Sequence, residues 1–385
     1  MNFRIATVSS VSIPDALNVR RNVRKSVRKG NPSDLARYDY KTLFYDVYNY
    51  GDRVVLAGPP LYNLAAHLRA AQFTLDGCDA SMLASFADIR RTQRSFILWP
   101  QPARWMELTS AIARVTVRIQ DADLTTFQNR RVLMTLSKNN ELAWIEDWIR
   151  FYVTEHDVDA VLIYDNASDQ YGLEDILERV RRVKSLKSAI VVNWPYLYGP
   201  QSRGIGPFGN FCQATMFEHA RRRFLANAAG VINCDVDELV ITADGRPIFD
   251  HVEESAHGGI RFAGRWVEAI ASEDGAERRH RQYDLYDQEA ELCATKWAII
   301  PALIDEQCAW RTHWIQDLDL PISPNVLFRH LKGINTNWQY DRNKVVPLRS
   351  GRHARDWALR MALERVYGGN EQDSYLARVE EGSRK

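Results

Sequence analysis

The sequence lacks any long run of apolar residues. No uninterrupted apolar stretch approaches the ~20 residues that a helix needs to cross a bilayer. The N-terminus also lacks the apolar core of a signal peptide. These absences predict a cytoplasmic protein, whose association with the inner face of a membrane, if any, is peripheral.

Cysteine is scarce and shows no pairing pattern. The chain has five cysteines with no Cys-x-x-Cys pair among them: Cys78, Cys212, Cys234, Cys293 and Cys308. An odd number without close spacing fits reduced thiols better than a disulfide framework or a zinc site. This composition again agrees with a cytoplasmic location.

An excess of charge of either sign is missing too. Lysine and arginine number 50 and aspartate and glutamate 49, which gives a formal net charge of +1. Such a balance does not indicate a nucleic-acid partner. The 45% hydrophobic and 26% charged residues are typical of a globular protein with a substantial core. A chain of 385 residues is long enough for two domains, or for one large domain with additions.

Basic residues are concentrated near the N-terminus at helical spacing, with valines opposite them. They are Arg20, Arg21, Arg24, Lys25, Arg28 and Lys29, facing away from Val19, Val23 and Val27. This pattern predicts an amphipathic helix, which would either rest on anionic lipid headgroups or pack through its valines against the protein. Three valines bury too little apolar area for stable membrane binding, and this favours a helix that packs against the protein.

Residues 1–125 otherwise predict a β-rich accessory region. Strand-like segments at 53–57, 72–75, 95–99 and 113–119 are separated by Gly-Pro-Pro, Asp-Gly and Pro-x-Pro turn signals. The region would bind a glycan or brace the rest of the chain. Trp99 and Trp105 would accordingly stack on sugar or pack in the core.

Residues 126–345 predict an α/β domain. Buried strands at 131–136, 160–164, 189–192 and 231–233 alternate with helices, one of them at about 212–227 with Arg221, Arg222 and Arg223 largely outward. This alternation is typical of a parallel sheet, whose ligands bind beyond the carboxyl ends of the strands. The loop 195–208 is rich in Gly, Pro and Tyr and is interpreted as a lid. Residues 346–385 predict a helix at 355–367 and a charged tail.

An acidic stretch follows the last of these strands. Asp235 and Asp237 lie one residue apart, with Glu238 directly after them. In an extended segment the two aspartates point to the same side, where they repel each other unless a cation lies between them. Paired oxygen ligands with room for phosphate oxygens suit Mn²⁺ or Mg²⁺. The alternative interpretation is an acidic surface turn.

Three motifs in order resemble those of a nucleotide-sugar glycosyltransferase of the GT-A fold, and more narrowly of glycosyltransferase family 92 and its family-2-like bacterial relatives. They are Lys138-Asn-Asn-Glu-Leu-Ala-Trp-Ile-Glu-Asp-Trp-Ile-Arg150, Val161-Leu-Ile-Tyr-Asp-Asn-Ala-Ser-Asp169 and Asn233-Cys-Asp-Val-Asp-Glu-Leu239. Lys296, His313 and Phe328-Arg329-His330 are similar to the Lys, His and Arg-His positions of that family's C-terminal part. The resemblance does not extend to the first ~125 residues.

The resemblance implies a mixed sheet flanked by helices and a metal-dependent, inverting transfer of a sugar, with galactose as the first guess, from a UDP-sugar to a glycan acceptor in polysaccharide biosynthesis. It implies Asp235 and Asp237 as ligands of Mn²⁺ or Mg²⁺. It also implies His313 as a further metal ligand or a diphosphate contact, with a packing residue as the alternative. It further implies a set of donor-binding residues: Asn139, Glu141, Asp165, Asn166, Asp169, Gln213, Lys296 and Arg329.

The sequence departs from the family pattern at two places. The family's Lys-Asn-Glu corresponds here to Lys138-Asn139-Asn140-Glu141, and Gln170-Tyr171-Gly172 stands where an Asp-Gly is common. The family pattern therefore constrains the donor-contacting residues at these two places less than it constrains the other site residues.

An inverting transfer also needs a base for the acceptor hydroxyl. Glu268 and Glu238 are the candidates, each of which could instead form a structural ion pair. Trp266 and Trp297 are either sugar-stacking platforms or core residues.

Two other functions fit the same composition. A sugar nucleotidyltransferase also uses an α/β sheet and Mg²⁺, but it normally opens with a glycine-rich phosphate loop, which this N-terminus lacks. A non-catalytic glycan-binding or scaffold protein would use the β-rich region as its binding part.

Overall fold

The computed structural model describes residues 2–23, 35–200, 209–270, 277–337 and 342–368. Within them, nine strands form one large mixed sheet with the order β1-β4-β3-β2-β5-β8-β7-β9-β6. In chain order the strands are β1 (Asn2–Ala6), β2 (Arg131–Ser137), β3 (Ala160–Asp165), β4 (Ser188–Asn193), β5 (Gly230–Asn233), β6 (Glu238–Thr242), β7 (Gly259–Val267), β8 (Cys293–Ile299) and β9 (Ile322–Leu331).

The first five strands run parallel to one another, and both faces of this part of the sheet are covered. Val161 and Ile163 pack in one cluster with helices α1 (Leu142–His156) and α2 (Leu173–Arg181), while Leu162 and Tyr164 pack in a second cluster with helix α3 (Phe211–Arg223). Continuous apolar runs are what a strand buried on both faces requires. The expectation of a mixed α/β fold with a large mixed sheet is confirmed.

Strand β7 has a register shift in its pairing with each of its two neighbours. It pairs with β8 from Gly259 to Phe262 and at Gly264, and with β9 at Arg261 and from Ala263 to Val267. The register shifts between Phe262 and Gly264 in the first pairing and between Arg261 and Ala263 in the second. A β-bulge of this kind bends a strand. As a result, β9 and the strand β6 that pairs with it lie close to the end of β5. Residues 234–237 are therefore enough to connect β5 to β6.

The N-terminal region is a β-sandwich. One sheet has five strands: Gln120–Asp121, Asp46–Tyr50, Arg53–Ala57, Ser95–Leu98 and Ala84–Ser85. The other has four strands: Arg114–Arg118, Trp105–Thr109, Gln72–Leu75 and Cys78–Asp79. Their inner faces share one apolar cluster, which includes Val47 and Leu56 from the first sheet and Phe73 and Met106 from the second. Trp99 packs against this cluster.

Short elements complete the described chain. The helices are Ala65–Arg69, α4 (Ile248–Glu253) and α5 (Trp357–Tyr367). The two-stranded pairs are Val11–Ser12 with Thr42–Phe44, Asp88–Ile89 with Thr92–Gln93, Leu285–Asp287 with His353–Arg355, and Ala309–Trp310 with Ile315–Gln316. Helix α5 contributes Leu359 and Leu363 to the core cluster beside α1 and thus belongs to the α/β part.

The predicted basic helix is wrong in its described part. Residues 19–23 contain no helix, and the buried guanidinium of Arg21 donates hydrogen bonds to the carbonyl oxygens of Pro60 at 2.6 Å, Asp39 at 2.5 Å and Thr42. Arg24, Lys25, Arg28 and Lys29 lie outside the described residues, as do 201–208 of the predicted lid and 369–385 of the predicted tail.

Two further expectations about segment positions change. Helix α3 ends at Arg223 rather than near residue 227, and Arg221, Arg222 and Arg223 are at most 7% exposed, not outward. They are buried because each contacts a distant carboxylate or carbonyl group, as Arg223 does with Asp46 at 2.6 Å. Strand β1 also belongs to the large sheet, although it lies within residues 1–125.

In the described ranges, every helix is too short or too polar to cross a lipid bilayer.

Candidate functional site

The carboxyl ends of the parallel strands define one edge of the sheet. Ser137, Asp165 and Asn193 are aligned at the ends of β2, β3 and β4, and β5 ends at Asn233 beside Met134. Strands β3 and β5 are two spacings apart, or about 10 Å. Asp165 and the acidic stretch after Asn233 therefore follow strands that end at the same edge, as the sequence predicts.

Asp165 closes the turn that follows β3. One of its oxygens accepts a hydrogen bond from the Ser168 hydroxyl at 2.5 Å, and the other accepts one from the Ser168 backbone N–H at 3.0 Å. Burial raises the pKa of Asp165 above its usual value in spite of these bonds. The carboxylate is thus fixed in direction at the strand end.

The loops after β2 and β3 are joined at this edge. The Asn139 amide donates to Asp169 at 3.0 Å, and its oxygen accepts from the Asp169 backbone N–H at 2.9 Å. The Asn166 side chain is buried and donates to the carbonyl oxygens of Trp194 and Tyr196, both at 2.8 Å. Asn166 consequently holds the next loop in place, while Glu141 is exposed at the start of α1.

The acidic residues themselves form a turn and not an extended segment. The Glu238 backbone N–H donates to the Asp235 carbonyl oxygen at 3.0 Å, and the Glu238 carboxylate accepts from the Asp235 backbone N–H at 2.8 Å. The strand alternation expected for Asp235 and Asp237 is therefore wrong. The turn instead brings Glu238, the first residue of β6, next to both aspartates.

A buried lysine lies among these acids. Lys296 Nζ is 2.6 Å from Asp235 Oδ2 and 2.9 Å from Glu238 Oε2, and the residue is 1% exposed. Burial opposes its charge, but the two carboxylates outweigh burial and raise its pKa. Lys296 therefore supplies the cation beside Asp235 and is a buried partner of the acidic turn.

The residues that can hold a metal ion differ from the predicted set. Asp237, Glu238 and His330 each offer a ligand atom, and these atoms lie within 4.8 Å of one another. Among the described residues this is the one such group, so Asp235 and His313 fall outside it. His330 enters because it is directly opposite Glu238 in the pairing of β6 with β9.

The members of this candidate metal-ligating group shift one another's charge state. His330 Nε2 is 3.1 Å from Asp237 Oδ2. Burial alone would lower the pKa of His330, but Asp237 outweighs burial and raises it to about 10. Burial raises the pKa of Glu238 to about 7, even though Lys296 opposes the shift. Without a metal ion His330 is thus protonated at neutral pH and pairs with Asp237 in a site largely shielded from water.

Trp266 holds the imidazole of His330 from the next strand. The two rings stack with centroids 4.3 Å apart, and the guanidinium of Arg342 lies 4.8 Å from the Trp266 ring. At least one face of the indole is therefore occupied by protein. Trp297 is fully buried and donates to the Arg311 carbonyl oxygen at 2.6 Å, so it is a core residue.

His313 and Gln213 lie near the acidic turn without joining the metal-ligating group. His313 Nδ1 contacts the Thr295 carbonyl oxygen at 2.9 Å, and because that oxygen can only accept, Nδ1 carries the proton. Burial and the charge of Lys296 lower the pKa of His313 to about 4. Gln213 accepts from Thr312 at 2.9 Å, and the Thr312 carbonyl accepts from Asn233 at the end of β5.

Two predicted residues have structural partners. Arg329 is buried and pairs through two nitrogens with Asp356, at 2.8 and 3.1 Å, on the side of β9 opposite His330. Arg329 therefore has a structural partner, and its role in donor binding stays a prediction. Glu268, the residue after β7, pairs with Lys332 at 2.6 Å.

Sequence reasoning missed His280. Its Nε2 contacts the carbonyl oxygen of Val236 at 2.8 Å, between the two aspartates, and the ring is fully buried. Its neighbour Arg279 binds both oxygens of Asp147 on α1, which ties this segment to the α/β part. Neither contact has a local sequence signal, because the partners are far apart along the chain.

The chain matches no protein-family model, and a search of curated proteins returned no match to it.

Proposed function

We propose that the chain is a metal-dependent glycosyltransferase of the GT-A type, which transfers a sugar from a UDP-sugar to a glycan acceptor. The observation that carries the proposal is the metal-ligating group of Asp237, Glu238 and His330 at the strand-end edge that also bears Asp165. Each of the three motifs that resemble such enzymes includes a residue at this edge, since Lys138 directly follows β2, Asp165 ends β3 and Asn233 ends β5.

The residues present fit a divalent cation. Ligands of one ion at about 2.1 Å are separated by at most about 4 Å, which is close to the spread of the three ligand atoms. Two carboxylates and one imidazole suit Mn²⁺ or Mg²⁺ with open positions for phosphate oxygens. Binding would displace the proton that His330 shares with Asp237, since a histidine ligates a metal as the neutral imidazole. When bound, such an ion neutralises the charge that develops on the departing diphosphate.

The protein groups around the ion have separate tasks. Lys296 balances Asp235 and Glu238, and Trp266 fixes the ring of His330. Asp165, held by Ser168, would bind the donor nucleoside at the neighbouring strand end. Glu268 is the proposed base for the acceptor hydroxyl, since it lies one residue beyond the paired residues Val267 and Leu331, at the end of the sheet where the acidic turn lies.

Asp237→Asn tests the proposal. Loss of a charged ligand should lower metal-dependent turnover of a UDP-sugar by about 100-fold or more, because electrostatic stabilisation of the leaving group is lost. Turnover is measured as UDP release with Mn²⁺ and with EDTA. Asp319→Asn is the control, because Asp319 is a 98% exposed partner of Arg261. Undiminished turnover in Asp237→Asn, or turnover that EDTA leaves unchanged, would refute the metal role.

A further inference from the structure

A second surface of the protein has the composition of a ligand site. The outer face of the four-stranded sheet in the N-terminal sandwich carries a shallow depression of about 550 Å³. It is lined by Asp76, Gly77, Trp105, Glu107 and Thr116. None of these residues belongs to the large sheet or to the metal-ligating group.

The strand alternation explains why this face is polar. Met106 and Leu108 point into the sandwich core, so Trp105, Glu107 and Thr109 point out. Their direct partners on the next strand are Arg118, Thr116 and Arg114, all of which are exposed. The outer face therefore consists of hydroxyl groups and charges of both signs, with one tryptophan among them.

Trp105 is the unusual member of this face. It is 50% exposed, whereas Trp99 of the same region packs against the sandwich core. The backbone of Trp105 is fixed, because its N–H donates to Asp76 at 2.9 Å and its carbonyl oxygen accepts from the Asp76 backbone N–H at 3.0 Å. A half-exposed indole on this fixed backbone offers an apolar ring face to a ligand.

The chemistry of the depression selects one class of ligand. Protein interfaces have an apolar centre of several residues, which is absent from this described face. Nucleic acid would need a net positive surface, but Asp76, Glu107 and Asp79 offset Arg114 and Arg118 here. A neutral sugar has C–H groups that stack on an indole and hydroxyl groups that bond to Glu107 and Thr116.

We propose that this depression binds a neutral oligosaccharide segment of the acceptor glycan. The statement that this glycan is the acceptor rests on the proposed function. The binding itself requires neither the donor nor a metal ion. The sandwich would thereby keep the growing polysaccharide on the enzyme between transfers, which raises its effective concentration at the strand-end site.

Native gel electrophoresis tests the proposal on the full chain, in gels that contain soluble β-1,4-galactan, mixed-linkage β-glucan or α-mannan and no donor or divalent metal. At least one polysaccharide should retard the wild-type protein. Trp105→Ala should raise the dissociation constant from that retardation by about tenfold, as loss of one stacked ring predicts. Trp357→Ala is the control, since Trp357 is also an exposed tryptophan, on helix α5. Its retardation should equal that of the wild type.

Glu107→Ala provides a second variant on the same face, should Trp105→Ala fail to fold. It should weaken retardation in the same gel. Retardation by none of the three polysaccharides, or equal retardation of Trp105→Ala and Trp357→Ala, would overturn the proposal. Because neither donor nor metal is present, this outcome is distinct from a failure of UDP-sugar turnover, which would overturn the proposed function instead.

Discussion

At the scale of single residues, burial decides how much each charged contact contributes. Lys296 and Lys332 both lie 2.6 Å from a carboxylate, but the Lys296 side chain is 2% exposed and that of Lys332 is 28% exposed. Removal of one partner from a buried pair leaves an uncompensated charge in a medium of low dielectric constant. Water screens the same loss where the pair is partly exposed.

Lys296→Met should therefore lower the free energy of unfolding by about 3 kcal/mol or more. Lys332→Met, which breaks the pair with Glu268, should lower it by less than about 1 kcal/mol. Urea unfolding of both variants at pH 7.5 without divalent metal gives the comparison. Equal losses for the two variants would show that Lys296 is not the cation that balances the acidic turn.

A buried histidine makes stability depend on pH. His156 Nε2 contacts the Val240 carbonyl oxygen at 2.9 Å, and its Nδ1 accepts from the Ile248 backbone N–H at 3.2 Å. Nδ1 cannot accept this bond once it is protonated. Burial accordingly lowers the pKa of His156 to about 4.

The unfolded chain then binds more protons than the native state between pH 6.5 and 4, so stability falls as the pH is lowered through this window. The contribution of His156 is about 3 kcal/mol over the whole window. Melting temperatures at pH 7.5 and 5 should differ less in His156→Gln than in the wild type. Part of the dependence should remain, because burial also lowers the pKa of His219 to about 4. An unchanged difference would contradict this assignment.

At the scale of elements, the pairing of β9 with both β6 and β7 brings the candidate metal-ligating residues and Trp266 together. Gly264 lies just after the register shift, and a Cβ atom there would be 2.1 Å from the ring of Phe328 on β9. The same pairing of strands places Trp266 beside His330. The close approach of the two strands is thus a condition for the stacked pair.

Gly264→Ala should lower the free energy of unfolding by about 1–3 kcal/mol, because the added methyl group forces the strands apart. It should also weaken Mn²⁺ binding, measured by calorimetry. Gly172→Ala is the matched control, since its nearest neighbour would be 3.5 Å away and its φ is −93°. A Gly264→Ala protein as stable as Gly172→Ala would mean that the strands tolerate a wider spacing.

The pairing of β9 with β6 and β7 marks the limit of what the sequence predicts. Strands β2 to β5 follow from continuous apolar runs, and their order places Asp165 and the acidic turn at one edge. The return of β6 through β9 depends on pairings between distant segments, which leave no periodic signal. For this reason the sequence points to Asp237 as a metal ligand but carries no signal for His330, and the resemblance implies His313 instead.

Burial of the arginines of α3 illustrates the limit again. Their helical spacing predicts a solvated face, because nothing nearby in the sequence shows that Asp46 and the Cys308 carbonyl oxygen will reach them. Long-range partners can reverse what local pattern indicates about exposure.

At the scale of the whole molecule, the sandwich and the α/β part share a buried polar network. Asp46 belongs to the sandwich and lies 2.6 Å from Arg223 and 2.9 Å from His219. The other nitrogen of His219 contacts the Tyr164 hydroxyl of β3 at 2.7 Å. These side chains are at most 4% exposed. The two parts are therefore expected to unfold together in one calorimetric transition.

Asp46→Ala should uncouple the unfolding of the sandwich from that of the α/β part. It leaves Arg223 buried without its carboxylate, which should cost about 3–5 kcal/mol and split the transition or lower its midpoint strongly. Asp52→Ala removes the exposed partner of Arg53 on the same sandwich and should change stability by less than about 1 kcal/mol. Differential scanning calorimetry of the two variants compares a buried with an exposed carboxylate in the same region. If Asp46→Ala melts like Asp52→Ala, the network does not couple the two parts, and the sandwich is an independent attachment to the α/β part.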